Sequence, residues 1–260
     1  YPCLSVSICG LKRTEIMLHE TNFKNRHGER LDVSFHPAER EDCLVILGHG
    51  VTGDKDRPLM IAVAEGLAAK GWPCLRVSFA GNGASEGDFR DATISKESGD
   101  IEDLIGQLPE NLQLAYCGHS MGGAVGVVTA SRLERIKVVI NLAGMIRTAA
   151  FCEREFGEVT PDEGLMWDEP GCPLSQAYVD DLNGIGDLLG TVAELSQPLL
   201  LIHGTADDVV LPEDSHDAFE AASEPKQLVV IDGAEHSFDE ATYAEVVEAA
   251  AEWLEEHLKS

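Results

Sequence analysis

The amino-acid sequence predicts an α/β fold, a mostly parallel β-sheet covered by helices on both faces. Short β-rich runs alternate with longer helical patterns along nearly the whole chain, the arrangement that builds parallel sheets. Several runs are unbroken Val/Ile/Leu stretches, as strands buried on both faces require. The 260 residues are 44% hydrophobic and 25% charged, enough apolar material for a sizeable core and far from disordered or collagen-like compositions.

In chain order, strands are expected over residues 15–20, 31–36, 43–48, 73–79, 113–117, 137–142, 198–203 and 227–231. The first two have only a short connection, so an antiparallel hairpin leads into the sheet. Pro58 suits a first helical position, and Leu59, Met60, Val63 and Leu67 follow at helical spacing. Residues 93–108, 121–133 and 212–222 read the same way, and the last helix places Tyr243, Val246, Val247, Ala250 and Leu254 on one face. Residues 145–196 break the alternation, with Glu, Asp, Gly and Pro clusters and weak periodicity around Phe151, Phe156, Leu165, Met166, Trp167, Leu174 and Tyr178. A connection of about fifty residues is far longer than usual, and such insertions are commonly lids. No repeat or long linker divides the chain, so it is read as a single domain over 1–260 with 145–196 as its lid or cap.

Nineteen Lys and Arg stand against 46 Asp and Glu, a formal charge of −27. Such a surface repels phosphate backbones and anionic headgroups at long range, which argues against nucleic-acid and peripheral-membrane partners. No apolar stretch approaches the ~18 residues of a bilayer span, so no membrane insertion is expected. The seven cysteines form no CxxC pair and no Cys/His cluster at zinc spacing. Cys43, Cys74 and Cys117 lie in or beside apolar runs, where a thiol behaves as a small hydrophobe. A reducing, cytoplasmic setting is the expectation, with no metal and no organic cofactor. Residues Leu4 to Leu11 lack the basic flank and cleavage site of a signal peptide.

The chemistry centres on Gly118-His119-Ser120-Met121-Gly122, a GxSxG. An apolar run leads in and a small-residue helix leads out, the strand–turn–helix frame of a nucleophile elbow. Gly118 and Gly122 relieve the crowding of a sharp turn, and the helix N-terminus beyond Ser120 favours negative charge. A serine hydroxyl needs a base held by a third group. Both are available at later strand ends, in the segments Gly204-Thr205-Ala206-Asp207-Asp208 and Asp232-Gly233-Ala234-Glu235-His236. His236 is the candidate base, and either of the adjacent Asp207 and Asp208 can orient it. Of the other histidines, His119 and His203 are placed to support the site; His19, His27, His36, His216 and His257 sit in polar, surface-like contexts. An oxyanion needs two donors: the amide of Met121, and the amide of Val51 in the loop Gly48-His49-Gly50-Val51-Thr52-Gly53. That loop also spells GxGxxG, but the next strand runs into Ala80-Gly81-Asn82-Gly83 without the carboxylate a dinucleotide ribose requires.

Taken with Gly48 to Asp56, Leu75 to Gly87, Ile202 to Val209 and His236, the sequence resembles the α/β-hydrolase fold family over roughly residues 15–258. It is most similar to the lidded esterases that include cinnamoyl/feruloyl esterases, monoacylglycerol lipases and serine aminopeptidase-like hydrolases. The resemblance implies an eight-stranded sheet with an antiparallel second strand, a lid after strand six, and Asp207 as the acid. His49 and Gly50, with Gly118, His119 and Gly122, would support the site. The turn at Ala80 and Asn82 departs from the family, whose members often carry a basic residue and a His there.

The function expected is cleavage of a small-molecule carboxylic ester through an acyl-enzyme, with Ser120, His236 and Asp207 as the triad. Thioester or amide hydrolysis on the same fold is the alternative, and a non-catalytic binding member a distant one. Phe151 and Trp167 are the candidate substrate contacts from the lid. The global charge predicts neutral esters of medium acyl length or of aromatic acids over anionic thioesters.

Overall fold

A computed structural model describes residues 22–258. Seven strands form its sheet: β1 (Asp32–His36), β2 (Cys43–Gly48), β3 (Cys74–Ser78), β4 (Gln113–His119), β5 (Ile136–Leu142), β6 (Leu199–Gly204) and β7 (Lys226–Ile231). Their order is β1-β3-β2-β4-β5-β6-β7. All neighbouring pairs are parallel except β1 with β3. The expected strand over 15–20, and with it the eighth strand and the hairpin, lies outside the described residues.

Side-chain alternation along the strands divides the core in two. On β4, Leu114 and Tyr116 face one layer while Ala115 and Cys117 face the other; on β6, Leu199 and Leu201 oppose Leu200 and Ile202. One face is covered by α1 (Pro58–Ala69) and α8 (Tyr243–His257). The apolar layer on the other side takes in α2 (Ile94–Gly106), α3 (Met121–Arg132), α4 (Thr148–Phe156), α5 (Gln176–Ile185), α6 (Leu189–Glu194) and α7 (Pro212–Ala221). Pro58 opens α1 as its spacing requires, and the Thr93 hydroxyl caps α2 by accepting from the Lys96 amide at 3.1 Å.

The structure adds detail to the expected pattern in two places. β4 runs two residues further than its apolar run, through Gly118 to His119, because both continue the parallel ladder with Asn141 and Leu142 of β5. Between β5 and β6 the weakly periodic 145–196 segment holds three α-helices, α4 to α6, for which no bounds were expected from sequence. Their amphipathicity is diluted by polar residues, yet each buries an apolar edge: Phe151, Cys152 and Phe156 on α4, Tyr178 and Leu182 on α5, Val192 on α6.

Candidate active site

Parallel strands place their following loops on one edge of the sheet, and four such loops converge here. They follow β2 (His49 to Gly53), β4 (Ser120), β6 (Thr205 to Val210) and β7 (Asp232 to Ser237). Between them and the 145–196 segment lies a cleft of about 490 Å³, within the ordinary range for a small-molecule site. Gly50, Val51, His119, Ser120, Trp167 and His236 are among the residues lining it.

Ser120 sits between β4 and α3 with φ 56° and ψ −122°, a conformation that costs a non-glycine residue ~1–3 kcal/mol. Three backbone hydrogen bonds hold it there. Its N–H donates to Leu142 O at 3.0 Å, and its C=O accepts from the amides of Gly123 at 2.9 Å and Met145 at 3.0 Å. The motif's glycines are sterically required. A Cβ on Gly118 would stand 2.1 Å from Gly122 O, and one on Gly122 would stand 2.5 Å from Gly48 O and His49 O. Met121 opens α3 directly behind the serine, and Val51 lies across from it in the β2 loop, at the cleft wall.

The acid and the histidine meet as a pair. His236 Nδ1–H donates to Asp207 Oδ2 at 2.8 Å. The same oxygen accepts from His203 Nε2 at 3.1 Å, while Oδ1 accepts from the amides of Val209 at 2.9 Å and Val210 at 3.0 Å. Burial opposes ionisation of Asp207, but the bonds from His203 and His236 outweigh it and hold the carboxyl well below the usual carboxylate range. Asp208, next along the chain, is exposed. The adjacent pair that spacing left open is thus separated by burial and by partners.

His203 reaches two acceptors through Nε2, Asp207 and Val210 O at 2.9 Å, so that nitrogen carries the proton. Its Nδ1 then accepts from the Ser215 hydroxyl at 2.7 Å. His119 Nε2–H donates to the carbonyl of His236 at 2.9 Å and braces the loop that carries it. Burial, with His236 nearby, pushes His119 down to about 3. His49 donates from Nδ1 to Gly50 O at 2.8 Å and accepts at Nε2 from the Phe79 amide at 3.1 Å, tying the β2 loop to the end of β3. Burial pushes it down to about 4. Both rings are therefore neutral braces at physiological pH.

Gly50 approaches Ser120 so closely that a Cβ there would lie 2.8 Å from the serine Cβ. Where the sequence departs from its relatives, the Ala80 amide donates to Asp100 Oδ2 on α2 at 2.8 Å, and Asn82 is buried with its amide nitrogen 3.4 Å from Ala80 O. These two contacts tie the turn to α2 and to itself.

The two candidates from the 145–196 segment divide. Trp167 lines the cleft, held by its indole N–H donating to Glu155 Oε2 at 3.0 Å and by Phe156 at a ring distance of 4.8 Å. It sits on a loop closed by Met166 N to Cys172 O at 2.9 Å and Leu174 N to Gly164 O at 3.0 Å. Phe151 is a correction. It is buried behind Trp167, 6.4 Å from that ring, because α4 turns it into the core with Phe156 and Tyr178. Sequence reasoning also missed Arg57, Ser237 and Tyr243, which line the cleft. Arg57 and Tyr243 stand at or beside helix starts, Ser237 directly after His236, and nothing in their local pattern marks them. Among the described residues no cluster of three or more His, Cys, Asp or Glu could hold a metal ion.

The sheet, the strained serine after β4 and the acid–histidine pair at later strand ends define the α/β-hydrolase class. The chain belongs to the Alpha/beta hydrolase family, whose profile matches residues 44–249. Among solved structures it is similar to Est1E from Butyrivibrio proteoclasticus, determined with ferulic acid bound: 26% identity, TM-score 0.81, covering 91% of this chain and 99% of that one. The esterase domain of a Rhodothermus marinus protein shares the fold at 23% identity and TM-score 0.74, covering 92% of this chain and 98% of that one. Among curated proteins it is 28% identical over 195 residues to the uncharacterized protein Rv2307c of Mycobacterium tuberculosis, 74% of this chain. The match spans 62% of that relative's length.

Proposed function

We propose that this protein is a serine hydrolase that cleaves carboxylic esters of small molecules through an acyl-enzyme. The observation that carries the reading is the 2.8 Å hydrogen bond from His236, which lines the cleft beside Ser120 in its strained turn, to the buried Asp207 behind it. With Nδ1 committed to Asp207, Nε2 of His236 is the nitrogen left to take the Ser120 proton as Oγ attacks the ester carbonyl. The ionised Asp207 stabilises the imidazolium formed. The amides of Met121 and Val51 hold the oxyanion, His236 returns the proton to the departing alcohol, and water then releases the acid by the same route. The likeness to Est1E supports an ester substrate, and no step calls for a metal or an organic cofactor. Residues 145–196 act as the lid, with Trp167 as its apolar contact to substrate and Phe151 backing it.

Ser120→Ala tests the reading. Hydrolysis of p-nitrophenyl acetate should fall by several orders of magnitude, leaving only catalysis by the oxyanion donors and binding, while circular dichroism stays unchanged. A folded variant that hydrolyses the ester at near wild-type rate would remove Ser120 from the mechanism.

A further inference from the structure

The lining of the cleft departs from the acidity of the whole chain. Asp and Glu number 46, yet among the described residues lining the cleft none is acidic. Among the same described residues, Arg57 is the only lysine or arginine. It precedes Pro58 at the start of α1 and is exposed, so its position is open to solvent and to a ligand alike. Its guanidinium donates one N–H, from Nη2, to Thr52 O at 2.9 Å. That bond seats the group on the loop bearing Val51 and leaves most of its five N–H donors for another acceptor. Among the described ion pairs, neither neighbouring carboxylate is a partner of Arg57. Asp56 accepts from Lys55 Nζ at 2.7 Å and from Arg76 Nη1 at 2.8 Å, and Asp54 accepts from the Asp56 amide at 2.7 Å.

We infer that Arg57 is a specificity-determining residue, and that the substrates of this site are esters carrying a carboxylate on one arm. The inference rests on the ester-hydrolase reading above and narrows it. A guanidinium matches a carboxylate through paired N–H···O bonds, which a neutral ester arm cannot supply. The long-range repulsion from a charge of −27 is screened within about 8 Å at physiological salt, whereas a guanidinium–carboxylate contact acts at hydrogen-bond distance, well inside that length. The acidic exterior therefore slows the approach of such a substrate without deciding its fit. Tyr243 adds a neutral polar group to the same wall, since burial, helped by Asp239 and Glu240, raises its phenol pKa and keeps it protonated.

The test compares matched ester pairs on the full chain. On the acyl arm, mono-p-nitrophenyl adipate is set against p-nitrophenyl hexanoate; on the alcohol arm, para-acetoxybenzoate is set against para-acetoxybenzamide. The quantity read is the ratio of kcat/KM, anionic over neutral, for wild type, Arg57→Gln and Arg57→Lys. For at least one pair the ratio should fall about fivefold in Arg57→Gln, mainly through KM, and recover partly in Arg57→Lys. A merely structural role for Arg57, holding the Thr52 loop, would lower both members of a pair together and leave the ratio unchanged. An unchanged ratio in Arg57→Gln on both pairs overturns the inference while leaving the ester-hydrolase reading intact. If wild type cleaves neither member of either pair, and Ser120 takes up no fluorophosphonate, the ester-hydrolase reading fails and the inference falls with it.

Discussion

Replacing Asp207 by Asn asks the most of the site's geometry. Four N–H donors converge on the carboxylate: His236 Nδ1, His203 Nε2 and the amides of Val209 and Val210. An amide side chain has one carbonyl oxygen, which accepts two of them, and an NH2 that faces the others donor to donor. If the oxygen stays on the two backbone amides, both imidazoles lose their acceptor. His203 keeps Val210 O as a second acceptor at 2.9 Å, but His236 must rotate or change tautomer. Each buried donor left without a partner costs ~1–3 kcal/mol, so Asp207→Asn should lose roughly 2–4 kcal/mol and unfold several degrees earlier. The kinetic loss should be larger. A tautomer with the proton on Nε2 cannot accept from Ser120, and kcat should drop about four orders of magnitude. Rates on p-nitrophenyl acetate, taken well below the onset of unfolding, separate the two effects. Asp208→Asn, on the exposed neighbour, should stay within a few-fold of wild type. An Asp207→Asn enzyme within tenfold of wild type, or a collapse of activity in Asp208→Asn instead, would refute the assignment.

Two further tests probe the loops around the serine. Gly50→Ala would put a methyl 2.8 Å from Ser120 Cβ, so the β2 loop must move; kcat should fall at least tenfold, at a stability cost of ~1–3 kcal/mol read by urea denaturation. His49 is neutral when folded and titrates at about 4, whereas in the unfolded chain it titrates near 6.5, so the unfolded state binds the extra proton between those values. Stability should therefore fall as pH drops from about 6.5 towards 4, and a shallower slope is expected in His49→Asn; identical slopes would mean that the ring is not buried neutral.

Much of this fold is written in local pattern. Unbroken apolar runs at 43–48 and 198–203 become β2 and β6, buried throughout, and Pro58 marks the start of α1. The serine turn is legible for the same reason: Gly118 and Gly122 are demanded by atoms within a few residues of Ser120 and by the neighbouring β2 loop. Residues 145–196 were harder to read, because α4 to α6 bury narrow apolar edges that composition averages away.

The sequence by itself determined the α/β alternation and the chain order of serine, acid and histidine at the ends of β4, β6 and β7, since strand propensity, helix spacing and turn chemistry act between near neighbours. Spacing left Asp207 and Asp208 open and the family resemblance favoured Asp207; the tertiary structure distinguishes them physically, because burial and four hydrogen-bond donors reach the first and not the second. It also turned Phe151 inward behind Trp167 and set Arg57 on the wall of a cleft without carboxylates. Those outcomes depend on side chains brought together from β2, α4, β6 and β7, tens to nearly two hundred residues apart along the chain. No local periodicity records which of them will meet.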